Sequence, residues 1–396
     1  MLLSIRTRLI ERPTYQELVD EFHQMGVDSR GIKLMAPKGK HFLLKIEGLS
    51  ARMAIILKQE ALSTGGEAAL PREAISFPER ETSALLMGTE KQLRQVARKL
   101  QMQPFQLPQL GNTIREILSQ QRQEKPTYLE LGPHQLDWRN KTITMGILNV
   151  TPDSFSDGGK FHNIEIAVNY ALDMQEEGAE IIDVGGESTR PGAVPISAEK
   201  EADRVLPVIR ELREKLTVPI SIDTYKASTA EKALKEGAHM INDVWGGKAD
   251  PDILGVAADY QVPVCLMHNR TRAAYQDLLR EIGEDLQESV EMALAAGVSP
   301  ENIILDPGIG FGKNLEHNLE VMRRLEEIKA LGYPLLLGTS RKSMIGKVLD
   351  LPLEERIEGT AATVACGIAK GVDIVRVHDV KAMKRVIRMT DAMIRR

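Results

Sequence analysis

The chain after about residue 140 alternates between short apolar runs and amphipathic stretches, and this rhythm constrains the fold more than any other feature. Eight strand–helix units in about 250 residues predict an α/β fold of the (β/α)8 TIM-barrel type. An open doubly wound sheet is the alternative, but no GxGxxG follows the first strand, which argues against a dinucleotide fold. The predicted strands are Thr142–Val150, Glu180–Gly186, Pro219–Thr224, Met240–Val244, Val262–His268, Asn302–Pro307, Pro334–Gly338 and Asp373–Val377.

Almost every predicted strand ends in a polar residue. A single polar strand end is usually a helix cap or a satisfied turn. A series of them is better explained by a shared pocket, because the carboxyl ends of parallel strands meet at one mouth of a barrel. The residues are Asn149, Glu187, Asp223, Asn242, His268, Asp306, Ser340 and His378.

The segment 142–159 contains the first of these strand ends. Met145, Ile147 and Asn149 share one face of the strand, which places Asn149 at the mouth. The following loop, Thr151–Asp157, is rich in turn-forming residues and carries Phe155, so it has the composition of a loop that closes over a ligand. A solvated turn with Asn149 capping the next helix is the alternative for this segment alone.

Residues 1–125 form a separate unit in the sequence, and residues 126–396 contain the barrel pattern. The N-terminal part predicts a small α/β or α+β domain followed by a connector in the region of Gln103 to Lys125. It carries no phosphate loop, metal cluster or nucleophile motif, so its role as attachment, partner surface or regulator stays open. The predicted elements are helices Thr14–Gly26, Ser50–Ser63 and Glu90–Leu100 and strands His41–Ile46 and Ser83–Met87.

The composition excludes several classes of function. The net charge of -5 gives no general reason to expect nucleic acid or a membrane surface as a partner. No apolar run approaches the roughly 18 residues of a membrane span, and early charges such as Arg6 and Glu11 interrupt any signal-peptide core. Cys265 and Cys366 lie far apart in apolar surroundings, which predicts buried free thiols and a cytoplasmic protein.

A basic set of residues predicts an anion site. Arg376 and His378 lie two apart on the last strand and share a face, at the part of a barrel where phosphate often binds. Arg190, after the second strand, adds further donors, and Asn149 offers an oxygen to Mg²⁺, which commonly binds through substrate phosphates. Each residue alone is more simply a salt bridge or a cap, but together they indicate a diphosphate held by Arg, His and a metal.

An acidic set predicts a second subsite. Asp223, Asn242 and Asp306 can accept the N–H groups of a planar amidine-like edge, such as that of a pterin ring. Lys342 is either a cation beside a ring carbonyl or a solvated loop lysine. The glycines of segment 306–312 allow the backbone to approach a flat ligand on which Phe311 packs. Asp183 and Glu187 share a strand face and are expected to pair with basic neighbours or to orient the site.

The motifs taken together resemble the dihydropteroate synthase family. They are GILNVTPDSFSDGG, DVGGESTRPGA, SIDT, INDVWG, LMH, LDPGIGFGK, GTSRKS and RVHDV, in that family's order. The resemblance spans residues 142–380 and leaves the N-terminal 125 or so residues outside it. It implies the condensation of 6-hydroxymethyl-7,8-dihydropterin diphosphate with 4-aminobenzoate to 7,8-dihydropteroate, with Mg²⁺ as cofactor and a homodimer as the assembly.

The resemblance also implies a role for individual residues. Lys342, Arg376 and Asp223 would carry the catalysis, and the loops Thr151–Asp157 and Ser188–Gly192 would close over the site. The other assignments are Asp223, Asn242, Asp306 and Lys342 for the pterin, Met267 and Phe311 for its pocket, Asn149 for Mg²⁺, Arg190, Arg376 and His378 for the diphosphate, and Thr189, Pro191, Phe155 and Ser343 for aminobenzoate.

Two other functions fit a pterin-binding barrel. A methyltetrahydrofolate-dependent corrinoid methyltransferase needs a pterin pocket without a grip on diphosphate, and the Arg376/His378 pair argues against it. A pterin-binding scaffold without activity is disfavoured because the motif residues are all present.

Overall fold

The computed structural model describes residues 7–10, 15–76, 80–120, 127–151, 160–188 and 194–395. The chain divides into two compact units, Met1–Glu124 and Lys125–Arg396. No described helix combines the length and the low charge that crossing a membrane requires.

The first unit is an α+β fold around a three-stranded sheet of order β1-β3-β2, in which both strand pairings are antiparallel. Of the two predicted alternatives, α/β and α+β, the first unit is therefore α+β. An α/β fold would need parallel strands, and the strands of this sheet pair antiparallel. The elements are α1 Tyr15–Gln24, α2 Ser29–Gly39, β1 His41–Leu49, α3 Ala51–Ser63, β2 Glu67–Ala69, β3 Thr82–Thr89, α4 Glu90–Leu100 and α5 Leu107–Gln120, with a 3-10 helix at Arg72–Ser76.

Local capping explains why the helices of this unit begin where they do. The Ser50 hydroxyl accepts a hydrogen bond from the Met53 amide at 3.3 Å, and Thr89 forms a capping box with Gln92 at the start of α4. The helix α5 lies within the predicted connector. Pro108 is its second residue, where proline is tolerated because that amide has no partner within the helix.

The second unit contains an eight-stranded parallel sheet among its described residues. Its order is β11-β10-β9-β8-β7-β6-β13-β12, and a parallel bridge between Leu305 and Leu335 joins its two ends. The sheet is thus closed, and the prediction of a TIM barrel is confirmed over the open sheet. The strands are β6 Ile143–Asn149, β7 Ile181–Gly185, β8 Ile220–Asp223, β9 Met240–Asp243, β10 Val264–Met267, β11 Ile303–Asp306, β12 Leu336–Leu337 and β13 Ile374–Val377.

Helices surround this barrel and cover the outer faces of the strands. Strand residues such as Val184, Ile222 and Leu266 share one apolar cluster with Val205 and Leu286 of the helices. Burial on both faces explains why the strands are apolar runs rather than alternating ones. The helices are α6 Lys160–Glu176, α7 Ala198–Lys215, α8 Ala227–Glu236, α9 Asp252–Asp259, α10 Leu278–Ala295, α11 Leu315–Arg323, α12 Leu325–Lys329, α13 Ser343–Leu349, α14 Ile357–Ala369 and α15 Val380–Ile394.

A β-hairpin closes the amino-terminal end of the barrel, and the sequence reasoning missed it. Its strands, β4 Tyr128–Leu131 and β5 His134–Asp137, pair antiparallel around a turn with Gly132 at φ +60°. Its apolar residues pack against the inward-facing residues at the start of the barrel strands. This cluster contains Leu129, Leu131, Trp138, Ile143, Met145, Ile181, Met240, Cys265, Ile304, Leu336 and Ile374.

The two cysteines differ in their surroundings. Cys265 lies in the cluster beneath the barrel, where burial raises the pKa of its thiol. Cys366 is exposed, so the prediction that both thiols are buried is wrong for it. The reason is that Cys366 lies on the solvent side of α14, where the helical period also exposes Ala362 and Ala369 of the same apolar run. Both are free.

Candidate active site

The strand register brings the polar strand ends to one rim. Asn149 is paired with Gly185, Gly185 with Asp223, and Asp223 with Asn242, so three polar residues follow one another across four neighbouring strands. Met267 is paired with Asp306 farther along the sheet. The carboxyl-terminal mouth of the barrel thus contains Asn149, Asp223, Asn242 and Asp306 of the predicted set, whereas Glu187 pairs with Lys226 and His268 is bonded to Lys313 and Asp285.

Arg376 is the centre of a hydrogen-bond network in this mouth. Its Nε donates to Asp183 Oδ2 at 2.6 Å, and its Nη2 donates to Asp223 Oδ2 at 2.7 Å. The amide of Asn242 donates to the same Asp183 oxygen at 3.0 Å. Asp183 thereby orients an arginine and an asparagine from two other strands, as expected for a carboxylate that pairs with a basic neighbour.

Several buried acceptors in this mouth have no hydrogen-bond partner among the described residues. They are Asp183 Oδ1, Asp223 Oδ1 and Ser221 Oγ. Burial raises the pKa of Asp223 to about 7, Arg376 acts against this rise, and Asp183 adds to it. Because buried polar atoms are nearly always hydrogen-bonded, these atoms have unused hydrogen-bonding capacity at the mouth.

Asp306 lies at the mouth on the other side of Arg376. Its Oδ1 accepts a hydrogen bond from the Gly308 amide at 2.7 Å, and burial raises the pKa of this carboxyl group. A Cβ added to Gly338 would lie 3.9 Å from Asp306 Oδ2 and 4.0 Å from Arg376 Cβ. The carboxylate and the arginine therefore flank the same glycine, which keeps the floor between them open.

Lys342 and Phe311 form the wall next to Asp306. The Lys342 ammonium lies 4.1 Å from the centroid of the Phe311 ring, a cation–π contact. Gly310 has φ +86°, which favours glycine, and a Cβ added to it would lie 3.1 Å from Lys342 Cδ. Met267 is buried at the end of β10, whereas Ser343, the first residue of α13, is exposed.

His378 is oriented by Ser340. The His378 amide donates to Ser340 Oγ at 3.1 Å, and the ring Nδ1 lies 3.0 Å from the same oxygen. These two contacts fix the orientation of the imidazole at the mouth. Beside it, Arg341 forms a two-point ion pair with Asp379, which fixes the loop that precedes α13.

The pterin-binding enzyme family matches residues 145–378 of the chain. The dihydropteroate synthase of Bacillus subtilis is 55% identical over 277 residues, which are 70% of this chain and 97% of that protein. The dihydropteroate synthase of Clostridium beijerinckii is 56% identical over 269 residues, 68% of this chain and 100% of its own length. The chain belongs to the dihydropteroate synthase family.

Solved structures of dihydropteroate synthases share this fold. One from Clostridium difficile, crystallised in the presence of pteroic acid, matches with a TM-score of 0.65 and 55% identity, covering 66% of this chain and all of that one. Another from Xanthomonas albilineans, solved with 4-aminobenzoic acid, has a TM-score of 0.65 and 39% identity, covering 67% of this chain and 98% of its own. The family match begins within β6, so it does not include the first unit.

The resemblance implies Mg²⁺ at Asn149, and the residues around Asn149 can be tested against the ligands that this cation prefers. Asn149 Oδ1 and Asp223 Oδ2 lie 3.8 Å and 3.5 Å from the position of a Cβ added to Gly185. The described residues contain no group of three His, Cys, Asp or Glu side chains arranged for a metal. A single amide oxygen beside a carboxylate fits a cation that takes its other ligands from water and substrate phosphate. The donor set is thus compatible with Mg²⁺.

Some of the predicted site residues lie outside the described residues. Phe155, Thr189, Arg190 and Pro191 are among them. The same holds for most of the two loops predicted to close over the site, Thr151–Asp157 and Ser188–Gly192, of which Thr151 and Ser188 are described.

The sequence reasoning did not identify two polar residues that the structure places close to this mouth. Ser221 precedes Asp223 by two positions on β8 and therefore shares its face, a spacing that could have identified it. Lys313 had no such signal, because a lysine after a glycine-rich loop is usually solvated. In the structure its ammonium instead lies 2.7 Å from the ring of His268.

Proposed function

We propose that this protein condenses 6-hydroxymethyl-7,8-dihydropterin diphosphate with 4-aminobenzoate, which makes it a transferase that forms 7,8-dihydropteroate and diphosphate. One observation carries the proposal. Over 277 and 269 residues the chain is 55% and 56% identical to two dihydropteroate synthases, and Asp223, Asn242, Asp306, Lys342 and Arg376 lie around one barrel mouth in that part of it.

The pterin is proposed to bind to Asp223, Asn242, Asp306 and Lys342. The pterin ring offers N–H donors along one edge. Asp223 Oδ1 has no hydrogen-bond partner in the described part of the chain, which supports the proposal that it accepts from this edge. The Lys342 ammonium would donate to the ring carbonyl. Met267 and Phe311 supply apolar surface for the flat ring.

The proposed reaction breaks the bond between the pterin methylene carbon and the diphosphate oxygen, and the electron pair leaves with the diphosphate. Positive charge then develops on the methylene carbon, which the carboxylates of Asp223 and Asp306 stabilise. Arg376, His378 and Arg190 are proposed to stabilise the departing anion. Arg376 can keep its Nε bond to Asp183 while its Nη1 donors turn to phosphate oxygens.

Mg²⁺, when bound at Asn149, supplies additional positive charge to the departing diphosphate. Side chains of the protein itself are proposed to position the second substrate. Thr189, Pro191, Phe155 and Ser343 are proposed to frame the aminobenzoate, whose amine forms the new carbon–nitrogen bond and then loses a proton. The loops Thr151–Asp157 and Ser188–Gly192 are proposed to exclude water that would otherwise trap the carbon centre.

The proposal is tested with the purified protein, both substrates and Mg²⁺. We expect release of diphosphate and formation of dihydropteroate, and no product from folded protein at any substrate concentration would reject the function. Lys342→Ala and Arg376→Ala are each expected to lower kcat/KM on the order of a hundredfold. Near-normal rates in both variants would show that the site is misassigned.

Removal of the metal gives a separate test of the Mg²⁺ proposal. Excess chelator is expected to abolish diphosphate release, and added Mg²⁺ is expected to restore it. Full activity of chelated protein would remove Mg²⁺ from the proposal without affecting the pterin site.

Two further parts of the proposal concern the oligomeric state and the cellular location of the protein. We propose a homodimer, which sedimentation of the purified protein would test, and a cytoplasmic location. The two free thiols support a reducing compartment.

A further inference from the structure

The mechanism above leaves a buried group of charged and polar side chains unused behind the pterin wall. Lys313 Nζ lies 2.7 Å from His268 Nδ1 and donates to the carbonyl oxygens of Gly308 at 3.0 Å and Phe311 at 3.1 Å. An ammonium has three N–H donors and no acceptor. All three donors are therefore used, two of them on the backbone of the loop that carries Phe311.

The lysine fixes the protonation of the histidine next to it. Because the ammonium can only donate, His268 Nδ1 must accept, and the ring proton lies on Nε2. His268 Nε2 lies 3.1 Å from Asp285 Oδ2 and donates this proton to it. The same oxygen accepts a hydrogen bond from Arg270 Nε at 2.6 Å. The four residues form one continuous chain of hydrogen bonds between the loop after β11 and helix α10.

Glycines allow the two loops after β10 and β11 to lie directly on each other. Gly308 has φ +67°, and a Cβ added to it would lie 1.9 Å from the carbonyl oxygen of His268. Gly312 has φ +54°, and a Cβ there would lie 2.6 Å from the carbonyl oxygen of Arg270. The Tyr275 hydroxyl donates to the Gly312 carbonyl at 2.7 Å. The loop is thus held at both ends.

The opposite side of this loop faces the proposed pterin position. Gly310 approaches the Lys342 side chain, and the Phe311 ring lies under the Lys342 ammonium. Lys313 binds the Phe311 carbonyl oxygen from behind. A displacement of the Phe311 backbone would therefore move both the ring and the lysine that contacts it.

The neutral state of His268 agrees with this arrangement, whereas the arrangement describes Lys313 in its protonated form, which dominates below its pKa. Burial lowers the pKa of Lys313 to about 7, although Asp306 favours its charged form. Burial also lowers the pKa of His268 to about 4, which keeps the imidazole neutral and able to accept.

We propose that Lys313 and His268 are positioning residues of the pterin subsite, which hold the loop 308–312 so that Phe311 and Lys342 meet the ring. This inference rests on the proposed function, because it assigns the pterin to the surface that the loop presents. It concerns the pterin and not aminobenzoate, since the contacts all lead to the wall formed by Phe311 and Lys342.

The test is steady-state kinetics in which each substrate is varied in turn. Lys313→Met, which removes the donors and keeps the length, is expected to raise KM for the pterin diphosphate on the order of tenfold. KM for aminobenzoate is expected to stay unchanged within error. His268→Leu is expected to repeat this pattern. His268→Asn is expected to restore the wild-type KM, because its amide oxygen occupies the position of Nδ1 and can accept from Lys313.

Lys384→Met is the matched control. Its ammonium bonds Glu180 Oε2 at 2.6 Å and Thr144 Oγ1 at 3.3 Å, at the amino-terminal end of the barrel strands. This variant is expected to leave both KM values unchanged, whatever its effect on the melting temperature. It separates a general loss of stability from a loss of pterin recognition.

The outcomes separate the inference from the function on which it rests. A folded wild-type protein without product formation would reject the proposed function. An active wild-type enzyme whose Lys313→Met variant keeps its pterin KM, or raises both KM values equally, would overturn the inference alone. If Lys313→Met does not fold, the comparison of His268→Leu with His268→Asn decides, and equal pterin KM values in these two would also overturn it.

Discussion

A single carboxylate oxygen of Asp183 orients two other residues of the barrel mouth. Its Oδ2 accepts hydrogen bonds from Arg376 and from Asn242, and the side chain is fully buried. Removing one partner of a buried ion pair leaves the other charge without compensation, whereas an exposed pair contributes little. The cost of losing Asp183 should therefore far exceed that of an exposed aspartate.

Asp183→Asn is expected to lower the free energy of unfolding by about 3 kcal/mol, because the Arg376 guanidinium loses one of its two carboxylates. Urea unfolding measures the change. The control is Asp137→Asn, which removes an exposed pair with Arg139 at 3.5 Å and is expected to cost less than about 1 kcal/mol. Equal losses in the two variants would contradict the importance of the buried network.

The raised pKa of Asp223, about 7, predicts a pH dependence of activity. In the proposed function the carboxylate form accepts the N–H groups of the pterin, and this form is lost as the pH falls through the pKa. We expect kcat/KM for the pterin diphosphate to fall about tenfold for each pH unit below the pKa.

The control for this pH profile is Asp223→Asn, which has no group to titrate at that position. The variant should be less active at neutral pH but should lack this acidic limb. A wild-type profile that stays flat down to pH values near the ordinary aspartate pKa would contradict the assignment.

At the level of elements, the barrel could be predicted because its strands are buried on both faces and read as apolar runs. The site residues at their ends followed from the same pattern, since strands of one direction end at one rim. The hairpin of β4 and β5 could not be predicted in this way, because its short strands alternate between buried and exposed residues. Contacts beyond the local sequence make it stable.

Lys313 illustrates the other limit of sequence reasoning. Nothing in the sequence around it distinguishes a buried lysine from a solvated one, because its acceptors come from the end of β10 and from backbone carbonyls. Its environment is a property of how two loops pack and of the glycines that permit this packing.

The position of the hairpin predicts that it stabilises the barrel without touching the site. Leu131→Ala is expected to lower the free energy of unfolding by about 2–5 kcal/mol, because Leu131 is fully buried beneath the barrel. Activity below the melting transition should not change, because the proposed site lies at the opposite end of the barrel.

Thermal and urea unfolding with parallel assays would measure both properties. The matched variant is Leu294→Ala on α10, where the leucine is 39% exposed and its loss should cost far less. A loss of activity in folded Leu131→Ala protein would argue that the two ends of the barrel are coupled.

At the scale of the whole molecule, the chain joins two compact units of which the family match includes only the second. Complete relatives of this family correspond to about 70% of the chain. The site residues proposed above all lie in the second unit.

We therefore expect a truncated protein of residues 125–396 to form dihydropteroate with the kcat and KM values of the full chain. The measurement is a direct kinetic comparison of the two proteins at equal active concentration. A soluble, folded truncation with altered kinetics would assign a regulatory role to the first unit, contrary to this expectation.

The hairpin at the closed end of the barrel has an optical consequence. The chain contains only two tryptophans, and Trp138 lies in the cluster beneath the barrel while Trp245 follows β9 at the open end. Their indoles are thus two intrinsic fluorophores, one at each end of the barrel. Replacing one of them with phenylalanine would leave emission from the other, so that unfolding of the base and events at the mouth could be followed as separate spectroscopic signals.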